Sequence, residues 1–331
     1  MGASPWILGP RADSALLLGG LGLSAALAAA GHFGGAAALA WVFLLFQAGF
    51  NLPHYFQTYT LTYFDREARR THGRRLLALA LISICVPLAA LAAPSPLPLR
   101  LLTTVTLVWG FWHVVQQSWG FTALYLRRAG AADASGRFWA RSALLSGCAW
   151  PLAWRLAHGT LGYSAGGLSQ TSLLPPLPEP AAQATAALWA IASLGFGAWI
   201  GSRLRRRLPW SPLAAAMVLL TVVQFCVGFV LIDDFVLTLV FLTAWHALQY
   251  LALVYVVQRR RETPWGQLAN REEVGYFAVA VVFALLVTGA AESMRRPWGD
   301  AVYLPLLMAH YLNDGWLWKR SKNAAVAAWL S

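Results

Sequence analysis

Charged residues are scarce in this chain: Asp, Glu, Lys and Arg make up 11% of 331 residues, against about 25% in soluble domains. That excludes an ordinary water-soluble globule. A hydrophobic content of 58% with 17 tryptophans points the same way. Acidic side chains are rarer still, 13 against 25 basic ones, for a net charge of +12. In a soluble chain this excess would suggest nucleic acid. Here the arginines sit in short clusters between apolar runs, as the positive-inside rule describes, and no nucleic-acid partner is expected. Cysteine is almost missing. Cys85, Cys148 and Cys226 each stand alone in an apolar run with no CxxC spacing, which argues against thiolate zinc or redox motifs and leaves them as packing residues. The opening MGASPWILGPRADS has no basic residue ahead of its first apolar residues and no clean cleavage site, so no removable leader is expected.

What the sequence does hold is apolar runs of about 20 residues, the length that crosses a bilayer. Ten can be laid out: Ser14 to Ala30, Ala37 to Phe64, Leu76 to Ala93, Leu99 to Leu126, Phe138 to Ala157, Ala181 to Gly201, Pro212 to Ile232, Phe235 to Val257, Val274 to Ala291 and Ala301 to Trp318. Basic connections (Arg66 to Arg75, Arg127 to Arg141, Arg203 to Arg207, Arg259 to Arg271 and the tail from Lys319 to Lys322) alternate with short, mixed or Pro/Gly-rich ones. Arg295-Arg296 is the exception. The alternation puts every basic loop and both termini on the cytoplasmic side. The longest connection on the other side, Gly159 to Pro180, reads as a linker ahead of a mobile lid. The expected fold is therefore all-α: one polytopic transmembrane bundle of about ten spans over residues 1–331.

Polar residues inside the spans recur in a pattern. Trp112-His113-Val114-Val115-Gln116 and Trp245-His246-Ala247-Leu248-Gln249 share W-H-x-x-Q, while His54-Tyr55-Phe56-Gln57 and His310-Tyr311-Leu312-Asn313 share H-Y-x-[Q/N]. Each histidine thus has a carboxamide at i+3, on the same helix face. Between them and the basic residue that ends each span lie 12, 14, 13 and 9 positions, counting from His54 to Arg66, His113 to Arg127, His246 to Arg259 and His310 to Lys319. At about 1.5 Å per residue these are depths of about 14 to 21 Å, which predicts one layer near the bilayer middle. The separations of 59, 133 and 64 residues between successive histidines suggest five helical hairpins of about 64 residues, the third without a histidine.

A buried polar group without a partner costs several kcal/mol in hydrocarbon, so the four imidazoles must face the bundle interior, and four in one layer point to a metal. Neutral imidazole is the commonest metal ligand and gives its second N–H to a supporting acceptor. Gln57, Gln116, Gln249 and Asn313, with Gln117 at i+4, are candidates to hold an imidazole from behind or to contact substrate. Asp314 is the one carboxylate deep in a histidine-bearing span, and an intramembrane acid is a functional candidate. Trp112, Trp245, Tyr55, Tyr250 and Tyr311 lie too deep for an interfacial belt and could line an apolar pocket or serve packing. Ligand type suits iron, copper or zinc alike. Haem held by two of the histidines remains open.

The segment Trp245-His246-Ala247-Leu248-Gln249-Tyr250 resembles the W-H-S-x-R-H segment of the bacterial β-carotene dioxygenase (Brp/Blh) family, membrane enzymes that cleave a carotenoid with iron held by histidines on several helices. Tyr250 stands where that family has its second histidine, and nothing here matches its N-terminal H-G-x-x-D-H. The His310 segment HYLNDGWLWK is similar to segments of other bacterial polytopic membrane proteins. The resemblance covers His246 and its neighbours and implies a metal-dependent membrane oxygenase. Taken with the histidine layer, the expected site is iron (Fe2+) held by His54, His113, His246 and His310, with Asp314 and Tyr250 in catalytic positions. Dioxygen and a lipophilic substrate such as an isoprenoid, carotenoid-like or fatty molecule would be the partners, in the bacterial inner membrane. The alternatives are a haem or electron-transfer protein with axial histidines, and a histidine-lined transporter.

Overall fold

The computed structural model describes residues 4–159, 161–165, 168–171, 173–294 and 299–319. Among these, seven helices are long and apolar enough to cross a membrane: α1 (Pro10–Phe33), α2 (Gly35–Thr60), α3 (Arg66–Ala92), α6 (Glu179–Arg205), α7 (Pro212–Leu231), α8 (Phe235–Arg259) and α10 (Glu273–Ser293). Three others, α4 (Leu97–Arg128), α5 (Ala134–His158) and α11 (Asp300–Leu317), run 32, 25 and 18 residues. They carry more polar groups, such as Arg137, Arg141 and Arg155 in α5 or His310, Asn313 and Asp314 in α11. The short helix α9 (Pro264–Arg271) lies between α8 and α10. A helical membrane protein follows from these lengths and compositions.

Two boundaries differ from the sequence reading. Arg66 to Arg75, expected as a connection, opens α3: Asp65 caps it by accepting from Ala68 N at 2.7 Å, and Glu67 favours the positive end of the helix dipole. The helix bends at His72, whose φ of −124° and ψ of 18° are not helical. Within Gly159 to Pro180, the described residues form an antiparallel hairpin, β1 (Gly162–Ala165) and β2 (Leu168–Thr171), with Gly162 paired to Thr171 and Ala165 to Leu168. The sequence has Gly166-Gly167 between these strands, a dipeptide that favours tight hairpins. The remainder of that connection at 160, 166–167 and 172 lies outside the described residues, as do Arg295-Arg296 and the tail beyond Lys319.

The chain divides into two compact units, the first from Met1–Leu39 and Phe111–His246, the second from Ala40–Gly110 and Ala247–Ser331. In the first unit, small residues let helices approach closely. The Trp139 ring lies against Gly195, where a Cβ would collide with it, and Trp150 stacks on Trp189 with centroids 5.0 Å apart. Asp13, fully buried, accepts from Ile7 N and Leu8 N at 2.7 Å and from Tyr125 Oη at 2.9 Å. Gln224 Nε2 donates to the carbonyls of Phe241 and Leu242 at 3.0 and 2.9 Å, tying α7 to α8.

In the second unit, Leu52, Tyr55, Tyr59, Ala284 and Ala309 form a buried cluster of α2, α10 and α11, with Phe283 and Leu306 packed against it. The polar side chains beside it pair across helices: Tyr276 Oη donates to Gln57 Oε1, Gln258 Nε2 donates to Thr60 Oγ1 at 2.9 Å, and Arg261 meets Asp65 at 2.8 Å. Such pairing is what a hydrocarbon surround demands of buried polar atoms.

Candidate metal centre

Local chain geometry sets His54 first. A π-helical turn, Gln47–Asn51, precedes Pro53. Proline has no N–H to give and crowds the carbonyl four residues back, so a widened turn in front of it keeps α2 continuous. His54 follows immediately, 2% exposed, with Thr58 one turn on and fully buried. On α11, His310 is fully buried and Asp314 stands at i+4 from it.

These two faces meet within the second unit. His54 Nε2 and His310 Nε2 are 3.2 Å apart, with the rings nearly perpendicular at 87°. Thr58 Oγ1 lies 2.8 Å from His310 Nδ1 and donates to Asp314 Oδ1 at 3.0 Å. Tyr250, from α8, reaches the same point: its hydroxyl is 2.6 Å from Thr58 Oγ1 and donates to Asp314 Oδ1 at 2.9 Å. Tyr55 packs its ring 4.4 Å from His54 and 4.9 Å from His310. Tyr311, half-buried, contacts Trp109 at 5.7 Å and presses on the backbone at Gly110, where a Cβ would come within 2.6 Å of its hydroxyl.

In the first unit, His113 and His246 form a second pair, ring centroids 4.9 Å apart at 76°. Gln117 Nε2 donates to the His246 backbone carbonyl at 2.9 Å. Trp245, almost fully buried, donates its indole N–H to Leu17 O at 3.0 Å and packs the unit together. Trp112 is 49% exposed. It therefore faces outward and does not line a buried pocket.

Two of the carboxamides at i+3 bond to groups other than the histidines. Gln57 accepts from Tyr276 and Asn313 donates to Tyr63 Oη at 3.1 Å and to its own helix at Ala309 O at 2.6 Å. Neither bonds an imidazole. Gln116 is half-buried and Gln249 is buried. The residues that cluster at the His54–His310 pair are those at i+4. The sequence puts Thr58, Gln117, Tyr250 and Asp314 four positions after His54, His113, His246 and His310, and that regularity was the signal for Thr58, which the i+3 pattern passes over.

The pair suits a metal ion. Two nitrogens bound to one ion at about 2.0 to 2.2 Å, with an angle of about 90 to 110° between them, stand about 2.8 to 3.6 Å apart, and 3.2 Å lies in that range. Opposite axial ligands of a haem iron stand about 4 Å apart, twice the bond length, so this pair fits neighbouring coordination positions better than axial ones. Asp314 supplies the carboxylate that commonly backs a ligating histidine. No family model matches the chain, and no curated protein or solved structure matches it.

Proposed function

We propose that the chain is a ten-span enzyme of the bacterial inner membrane that uses a metal ion, non-haem iron foremost, in the oxygenation of a lipophilic substrate. The observation that carries this reading is the 3.2 Å approach of two buried imidazole nitrogens, His54 Nε2 and His310 Nε2, with a carboxylate beside them. Iron held there would supply activation of dioxygen. His54 and His310, both in the second unit, would be its ligands. Asp314 sets a negative charge behind His310 by way of Thr58, and Tyr250 holds that carboxylate in place with its hydroxyl.

The surroundings support the substrate class. Tyr55, Leu52, Tyr59 and Ala309 form the buried surface next to the pair, and this cluster contains no arginine or lysine to receive a phosphate or carboxylate. A charged molecule would lose its hydration without compensation on arrival. An isoprenoid, carotenoid-like or fatty molecule loses nothing by leaving lipid for such a surface.

Dioxygen consumption by the purified, Fe2+-loaded protein in detergent tests the proposal. Uptake that depends on an added carotenoid, isoprenoid or long-chain fatty substrate, with that substrate consumed, is the expected result. Turnover restricted to polar, water-soluble compounds would overturn it.

A further inference from the structure

We infer that Thr58 is a positioning residue that fixes the tautomer of His310, so that Nε2 of this imidazole presents a lone pair to a bound cation. The inference rests on the metal reading above and goes beyond it, since it assigns a role to a residue with neither charge nor affinity for metal of its own.

A threonine hydroxyl has one proton to give and two lone pairs to receive. Around Thr58 Oγ1 stand three partners: Asp314 Oδ1 at 3.0 Å, Tyr250 Oη at 2.6 Å and His310 Nδ1 at 2.8 Å. With the Tyr250 Oη–Asp314 Oδ1 contact at 2.9 Å these make four contacts, and each needs a proton. The two hydroxyls supply one each and the carboxyl group at most one. The fourth therefore comes from His310, whose Nδ1 carries a hydrogen and donates it to Thr58. A neutral imidazole protonated on Nδ1 has Nε2 free of hydrogen, and His310 Nε2 is the atom that faces His54 Nε2. The chain of donors runs His310 to Thr58 to Asp314. It is a carboxylate–histidine arrangement with a hydroxyl inserted between the two members.

Local structure shows that Thr58 has been diverted to this task. Threonine inside a helix usually bonds back to a carbonyl of the preceding turn. Its neighbours do so, Thr60 at the end of α2 to Gln57 O at 2.8 Å and Thr62 in the following turn to Thr58 O at 2.7 Å. The partners of Thr58 are side chains of α8 and α11. Asp314 Oδ2 sits 3.9 Å from His310 Nδ1, beyond hydrogen-bond distance, and the Thr58 hydroxyl connects the two.

Co2+ serves as the probe, since its binding can be followed by visible absorption in detergent-solubilised, metal-free protein. Thr58→Val keeps the shape and removes the hydroxyl. It is expected to weaken Co2+ binding about 10 to 100-fold, the usual effect of removing a group that supports a ligating histidine, and to change the ligand-field spectrum. Thr58→Ser should restore both, while the metal-free melting temperatures of the variants stay close to that of the parent protein. If Thr58→Val does not fold, Thr58→Cys, which retains the size and weakens the bond, should fall between parent and loss. Parent protein that binds no Co2+ would defeat the metal reading itself. Parent protein that binds Co2+ with Thr58→Val binding equally well would defeat only the role of Thr58.

Discussion

A single buried carboxylate organises the second unit's polar centre. Asp314 receives hydrogens from Thr58 and Tyr250 on a single oxygen, and both donors are themselves buried. Substituting Asp314 by Asn keeps the shape and an acceptor but removes the charge, and bonds to charged groups are about twice as strong as neutral ones. Metal affinity should fall about 10 to 100-fold with the helices intact, as read by metal titration alongside circular dichroism. Unchanged affinity would reduce Asp314 to helix packing. The four histidines and this aspartate were legible in the sequence because an ionisable group inside an apolar run needs a reason to be there. Thr58, which joins His310 to that aspartate, was not. At 3.6 residues per turn, positions i+3 and i+4 lie about 60° and about 40° to opposite sides of the histidine. Which side meets the neighbouring helix is decided by packing, and here it is the i+4 side, Thr58 and Asp314, while Gln57 and Asn313 turn to Tyr276 and Tyr63.

At the scale of helices, the same physics that hides one boundary reveals another. Thr60 ends α2 and Asp65 caps α3, so the basic stretch from Arg66 continues as helix out of a short turn. Charge marks which side of the membrane a segment favours and says little about whether its backbone is coiled, since arginine is a good helix former. The widened turn before Pro53 is likewise invisible in hydropathy, though the proline that accompanies it is not. Close approach between helices gives a sharper test. Gly110 on α4 has room only for hydrogen beside Tyr311 of α11, whose hydroxyl would lie 2.6 Å from an added Cβ. Gly110→Ala should cost about 1 to 3 kcal/mol through overpacking. The double variant Gly110→Ala, Tyr311→Phe, which removes the offending oxygen, should recover part of that loss in a thermal melt. Additive losses in the double variant would show that the two residues do not touch.

Across the whole molecule, membrane character was evident from composition, and seven of its helices meet the length and apolarity needed to cross. The helices that fall short of that measure include α4 and α11, which bear His113 and His310. Polar groups inside a helix lower its hydropathy, although α2 and α8, which bear His54 and His246, still meet the measure. The division into two units, each holding one histidine pair, was hidden from a reading based on depth along the spans. The central claim is that His54 and His310 are metal ligands. It is tested most directly by the metal content and absorption spectrum of the purified protein beside those of a His54→Ala, His310→Ala variant. A single N–H···N bond between imidazoles also spans 3.2 Å, and metal content distinguishes the two situations. The account predicts iron in the parent protein, no Soret band, and loss of the metal from a variant that remains folded. A parent protein free of metal, a Soret band, or a variant that retains its metal in full would contradict it.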